Sequence, residues 1–374
     1  MTGFEGTYLD HNATTPMKPE VLGIMQETLG LLGNASSVHK AGREARRRIE
    51  ESRESIARFV NAGPKAVIVF TSGATEANNT VLKGSGCERL LVSAIEHPSV
   101  LNNGAKEIIP VLQNGTVDLA ALEKMLIGND RSTLISVMLV NNETGVIQPV
   151  GQVAALARKY GALVHTDAVQ AAGKIPADIQ KLGADYLSLS AHKMGGPQGI
   201  GCLIMANCAT ITPLLHGGGH EKGLRAGTEN LAGIVAFAKA AELAQKDLNN
   251  FQKLAKLRDK MESALRKIAP TLKIWGTEAP RVANTTMFSL SGAPSETQMI
   301  ALDLTGICVS SGSACSSGTV RPSYVLKAMG AADTEASSSL RVSLGWNTTE
   351  KDVDCFISRW TEMYERIKAR LSAA

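Results

Sequence analysis

Short apolar runs separated by amphipathic stretches constrain this chain more than any other feature. The runs cover residues 66–70, 89–93, 132–139, 162–166, 186–190 and 201–205, while 76–83 and 150–160 between them carry helical periodicity. That alternation predicts an α/β fold built on a mostly parallel sheet, with ligands expected at the strand ends. After Thr228 the pattern changes. Leu231, Ile234, Val235, Ala238, Ala241 and Leu243, continuing to Leu265, predict one or two helices with no strand. Strand-like runs then return at 285–289 and 339–344 around a predicted helix at 296–304, the makings of a smaller α+β domain. At 374 residues the chain exceeds what one core usually serves, so two unequal domains are expected.

The formal charge is only +4, and no basic block is interleaved with aromatic residues, so nucleic acid is not an expected partner. Arginines crowd residues 43–58, but Glu44 with Arg48, Arg47 with Glu51 and Glu54 with Arg58 stand four apart, as on a solvated helix face. No stretch approaches 18 uninterrupted apolar residues, and residues 1–20 lack a basic start followed by an apolar run. A cytoplasmic protein with no membrane partner is expected. The six cysteines show neither a CxxC pair nor zinc-ligand spacing, which suits a reducing compartment. Five of them, Cys87, Cys202, Cys208, Cys308 and Cys355, read as packing residues.

The sixth, Cys315, lies within Ser310-Ser311-Gly312-Ser313-Ala314-Cys315-Ser316-Ser317-Gly318, a segment with the composition of a flexible linker. A thiol there suits a carrier that serves two places; a solvent loop that merely contains a Cys is the plainer alternative. Three strand ends hold further candidates. Thr71-Ser72-Gly73-Ala74-Thr75-Glu76 opens a helix whose first amides could hold a phosphate, or is a plainly capped turn. Asp167, after the run 162–166, could hold a ring nitrogen protonated, or cap a helix. Lys193, between Ser190-Ala191-His192 and Gly195-Gly196-Pro197, could form a Schiff base with an aldehyde cofactor, or be a surface lysine.

Taken in order and spacing, these segments resemble the class V, fold-type-I pyridoxal-phosphate enzymes, and most closely the NifS/IscS-type cysteine desulfurases. The likeness runs nearly end to end. It is carried by Tyr8 to Thr15, Asn34 to His39, Thr71 to Asn79, Glu96-His97, Asn141 to Gly145, His165 to Gln170, Ser190 to Gly196, Arg225 to Thr228, the Cys315 segment and Leu340 to Gly345. It implies a large domain with a mostly parallel seven-stranded sheet over residues 10–250, and a small domain of residues 1–9 and 251–374. It implies that pyridoxal 5'-phosphate is held by Lys193, with Asp167 at the ring nitrogen and His97 stacked on the ring and moving protons. Ala74, Thr75, Ser190 and His192 would bind the phosphate, helped by Thr228 of the other subunit of a homodimer, with Asn142 and Gln170 near the ring hydroxyl. Arg341 would clamp the substrate carboxylate, assisted by Asn34 and Asn142.

The implied reaction converts L-cysteine to L-alanine and leaves the sulfur on Cys315 as a persulfide for a sulfur acceptor such as an iron-sulfur scaffold. Cys315 is also a candidate transient cluster ligand shared with that scaffold. Asn34-Ala35 stands where the family often has Asn-Pro, and His11 interrupts the usual Asp-Asn-Ala-Ala start. The chain ends soon after Leu371, which favours a NifS-like role in nitrogen fixation over a housekeeping one. Two rivals keep parts of the site: an aminotransferase or selenocysteine/cystine lyase on the same fold, which has no use for Cys315, and a non-catalytic sulfur carrier.

Overall fold

The computed structural model describes residues 5–104, 106–206, 209–311 and 321–372. In chain order its strands are β1 (Thr7–Tyr8), β2 (Val67–Thr71), β3 (Arg89–Ser93), β4 (Glu107–Ile109), β5 (Thr133–Ser136), β6 (Leu163–Asp167), β7 (Tyr186–Ser190) and β8 (Gly201–Met205). They continue with β9 (Lys273–Ile274), β10 (Thr285–Ser289), β11 (Ile307–Cys308) and β12 (Ser339–Ser343). Seven of them form one mixed, mostly parallel sheet in the order β2-β8-β7-β6-β5-β3-β4. Within it β4, β3, β5, β6 and β7 are parallel, and β8 runs antiparallel between β7 and β2. Strand β4 went unread in the sequence, since three residues are too short to register as an apolar run.

Both faces of the sheet are covered, which is why its strands read as apolar runs rather than alternating ones. Ile68, Phe70, Leu91, Ile135, Leu187 and Ile204 enter one core, where helices α1 (Pro19–Leu29) and α2 (Lys40–Phe59) pack against the helix Leu231–Lys246. Val69, Val92, Leu134, Tyr186 and Leu203 enter the other, beneath helix α3 (Ala74–Gly84). Segment 228–268 holds three helices, not one or two: Leu231–Lys246, Leu248–Gln252 and Leu254–Ile268. Within α2 the predicted solvated face is also corrected at one position. Arg53 is buried, donating through Nη1 to Glu221 at 2.8 Å and to the Ile68 carbonyl at 2.6 Å.

A further core gathers Met261, Leu265, Phe288, Leu340, Val342, Phe356 and Trp360 over the antiparallel sheet β12-β10-β9. Leu9 belongs to it. Strand β1 pairs in parallel with β11, and Asp10 bridges Ser343, so the start of the chain is built into its C-terminal part. No helix among the described residues is long and apolar enough to cross a membrane.

Candidate active site

Because β2 and β7 both run antiparallel to β8, β2 shares its direction with the parallel strands, and their C-terminal ends meet at one edge. That edge collects α3, His97, Asp167 and Lys193. Gly201 stands opposite both Thr71 and Ser190. A Cβ there would fall 2.5 Å from the Leu189 carbonyl oxygen and 2.8 Å from Gly73, so only glycine lets the turn before α3 sit against β7. Helix α3, whose first amides at Ala74 and Thr75 lack intrahelical partners, thus starts at the same sheet edge at which Ser190 ends β7. Glu76 braces the turn, accepting from Ser72 N at 2.7 Å and pairing with Arg225 at 2.9 Å.

Lys193 follows β7 in a single helical turn, Ala191–Lys193. Its Nζ donates to the carbonyls of Asn12 at 2.6 Å and Ala13 at 2.5 Å. Burial and then Arg341 push this amine down to about 8, against the opposing pull of Asp10 and Asp167. The site therefore supplies a lysine whose amine becomes a free nucleophile and base near pH 8, well below the range of an ordinary lysine. His192 beside it bonds through Nδ1 to Thr14 Oγ1 at 3.1 Å and is lowered to about 4, by burial first and Lys193 second.

Asp167 ends β6. Its Oδ1 accepts from Val169 N at 3.0 Å, so it does cap the local turn, and its Oδ2 accepts from Asn78 Nδ2 at 2.8 Å. Asn78 also donates to Ser99 Oγ at 2.9 Å, and Ser99 Oγ bonds His97 Nδ1 at 2.8 Å. Asp167, Asn78, Ser99 and His97 thus form one polar chain. Surrounding protein lowers the His97 pKa, Lys193 adds to that effect and Asp167 opposes it.

Arg341, on β12, is 3% exposed. Its Nη2 donates to Asp10 Oδ1 at 2.6 Å and its Nη1 to the Asn142 carbonyl at 3.1 Å. Its Nε and the Oδ1 of Asn142 are buried with no partner. Gln170 donates to the Asn12 carbonyl at 2.8 Å. Asn34 lies on an exposed turn, where its Oδ1 accepts from Ser36 N at 2.8 Å. Thr228 is exposed and lines a cavity of about 120 Å³ with Ser72 and Arg225. Cys315 lies outside the described residues, and among those described no cluster of His, Cys, Asp or Glu could hold a metal.

The structure adds residues that the sequence reading assigned no role. Asn12 is the hub: its carbonyl serves Lys193 and Gln170, its Oδ1 serves Lys174 and Asn284, and its Nδ2 reaches the Asn142 carbonyl and Thr285. Asp10, Asn78, Ser99 and Lys174 join it. Asp10, Asn12 and Asn78 fall within matched segments, which was a signal; nothing in the sequence marked Lys174.

A lysine and an aspartate thus stand at the ends of paired strands of a mostly parallel sheet, within the electrostatic reach of an arginine from the three-stranded antiparallel sheet. The sequence pattern of the family Aminotransferase class-V matches residues 7–356, and the chain belongs to that family. Among its relatives is an IscS-like cysteine desulfurase of Mycobacterium tuberculosis, 39% identical over 367 residues and 93% of each chain. A NifS-like protein of Rickettsia africae is similar in structure, with a TM-score of 0.91 at 36% identity over 96% of this chain and 100% of that one. So is SspA, solved in complex with cysteine, with a TM-score of 0.76 at 29% identity over 90% of this chain and 98% of the other.

Proposed function

We propose that this chain is a pyridoxal-phosphate-dependent cysteine desulfurase that converts L-cysteine to L-alanine and passes the sulfur to Cys315. The observation that carries the reading is that Asp167 and Lys193 stand at the ends of paired strands with the charges of Asp167 and Arg341 both acting on Lys193, in a family whose relatives include cysteine desulfurases. The pocket suits the cofactor by its donor set. It offers an amine lowered to about 8 for an aldehyde, a carboxylate for a ring nitrogen, and glycine-lined helix amides with Ser190 and His192 for a phosphate. The unpartnered Asn142 Oδ1 is a polar atom awaiting a ligand.

When bound, pyridoxal phosphate supplies an electron sink that makes the substrate Cα proton acidic. The chain's residues do the rest. Arg341 holds the substrate carboxylate, with Nε available for it. Lys193, whose amine is freed near pH 8, removes and returns the proton at Cα. The Cys315 thiolate attacks the substrate sulfur: a sulfur–sulfur bond forms, the carbon–sulfur bond breaks, and its electron pair stays on carbon, which takes a proton to become the alanine methyl group. The products are alanine and a Cys315 persulfide, a reversible cap suited to delivery to a second thiol.

The reading includes a homodimer. Leu32 and Val38 are 89% and 85% exposed in the single chain, an apolar surface that a second copy would cover while bringing Thr228 to the partner's phosphate site. The division into residues 10–250 and residues 1–9 with 251–374 belongs to the same reading, as does an iron-sulfur scaffold as acceptor. The test is alanine and sulfide release from L-cysteine with and without reductant, with mass spectrometry of Cys315. Equal yields and a gain of about 32 Da, one sulfur atom, on Cys315 are expected. Sulfide release undiminished in Cys315→Ala would overturn the mechanism in favour of a lyase.

A further inference from the structure

Lys174 is buried to 3% exposure, and the mechanism above leaves it without a task. It stands four residues beyond Gln170 in the turn region after β6, and its Nζ donates to Gln170 Oε1 at 2.6 Å and to Asn12 Oδ1 at 2.7 Å. Each of those oxygens belongs to an amide whose other end faces the site. Gln170 Nε2 donates to the Asn12 carbonyl at 2.8 Å, the same carbonyl that accepts from Lys193 at 2.6 Å. Asn12 Nδ2 donates to the Asn142 carbonyl at 3.2 Å and to Thr285 Oγ1 at 3.0 Å. Lys174 and Lys193 also line one cavity of about 190 Å³, beside His11 and Asn284.

An amide side chain can turn over and exchange its oxygen for its nitrogen, and which way it points is set by its neighbours. Burial, then Lys193 and Arg341, hold the Lys174 amine well below its usual range, but even a neutral amine has two N–H groups, one for each of the two oxygens in reach. With Lys174 in place, Gln170 and Asn12 must each point an oxygen at it, which leaves both NH2 groups directed towards the site. Were Lys174 replaced by an apolar residue, Gln170 Oε1 would be buried without a donor and that amide would gain by turning, while Asn12 Oδ1 would keep Asn284 Nδ2 at 3.2 Å.

We infer that Lys174 is a positioning residue that locks the amide of Gln170, so that its NH2 stays turned to the Asn12 backbone carbonyl that also receives Lys193 and is presented to the cofactor. The inference rests on the proposed cofactor site. Its class of ligand is the ring hydroxyl of a phosphorylated pyridine aldehyde, for which Gln170 would be a donor and not an acceptor.

The experiment is binding of pyridoxal phosphate to apoprotein, followed by the visible absorbance of the bound form and by borohydride trapping on Lys193, together with thermal melts. Lys174→Met is expected to weaken binding about tenfold, the scale of one lost buried hydrogen bond. In a Gln170→Ala background, the same substitution is expected to weaken it less than threefold, because the amide through which Lys174 acts is gone. Lys174→Gln, which keeps one donor, should fall between Lys174→Met and the unmodified chain, and serves if the methionine variant does not fold. Equal weakening in both backgrounds, or a lowered melting temperature with unchanged cofactor affinity, would overturn the positioning role and leave Lys174 a structural residue. Failure of the unmodified chain to take up the cofactor would instead overturn the proposed site itself.

Discussion

Arg341 touches Asp10 and acts on Lys193 through its charge, and the consequences of each can be measured. Arg341 helps hold the Lys193 amine down at about 8, because a cation nearby disfavours a second one. Capture of pyridoxal phosphate by apoprotein should therefore rise with pH around a midpoint near 8, where the free amine appears. Arg341→Ala should move that midpoint upward, and an unmoved midpoint would assign the low value to burial alone. Asp10 already occupies Nη2 of Arg341 at 2.6 Å, so an incoming carboxylate meets a guanidinium partly neutralised by its own chain. Asp10→Asn should tighten the binding of a carboxylate ligand such as L-alanine, by about threefold to tenfold for a charge-assisted contact freed of its competitor. Weaker binding in titration calorimetry would show that Asp10 orients Arg341 instead.

The connection after β3 shows how an element is fastened at some cost. Glu96 is fully buried; its Oε1 accepts from Ser93 Oγ at 2.6 Å and from Met138 N at 2.7 Å, while its Oε2 has no partner. Burial raises its carboxyl from the ordinary 4.5 to about 8, with Asp167 adding to the effect. Between those values the folded chain keeps a proton that the unfolded chain has released. Its contribution to stability is thus greatest below 4.5, falls as pH rises through the window and levels off above about 8. Glu96→Gln should flatten that fall and raise stability at pH 8.5 by about 1–3 kcal/mol in urea melts. An unchanged slope would show Glu96 to be ionised in the folded chain. The helix Tyr324–Ala328 is fastened to this connection and to the one after β5: Tyr324 donates to the Glu96 carbonyl at 2.7 Å and Ser323 to Glu143 at 2.5 Å. These contacts fasten the helix after the Cys315 segment to the edge of the sheet.

At the scale of the molecule, the site is shared between cores that lie far apart in the chain. Asp10 and Asn12 come from its start, Asp167 and Lys193 from the large sheet, and Arg341 from β12. If the exposed Leu32 and Val38 face a second copy, a Leu32→Glu/Val38→Glu variant should sediment as a monomer and retain less cofactor; an unchanged dimer would place the interface elsewhere. The apolar runs by themselves determined the α/β class, because a strand buried on both faces must be apolar throughout, whatever it packs against. The positions of Asp167 and Lys193 were legible for a related reason, since polar residues within a few positions of the end of such a run fall at a strand end. Tertiary structure alone decided that Arg53 turns inward to Glu221, that Asp10 meets Arg341, and that Lys174 stands behind Gln170 and Asn12. Such pairings join residues as much as 331 positions apart, and burial of a charge depends on a partner that no local pattern can announce.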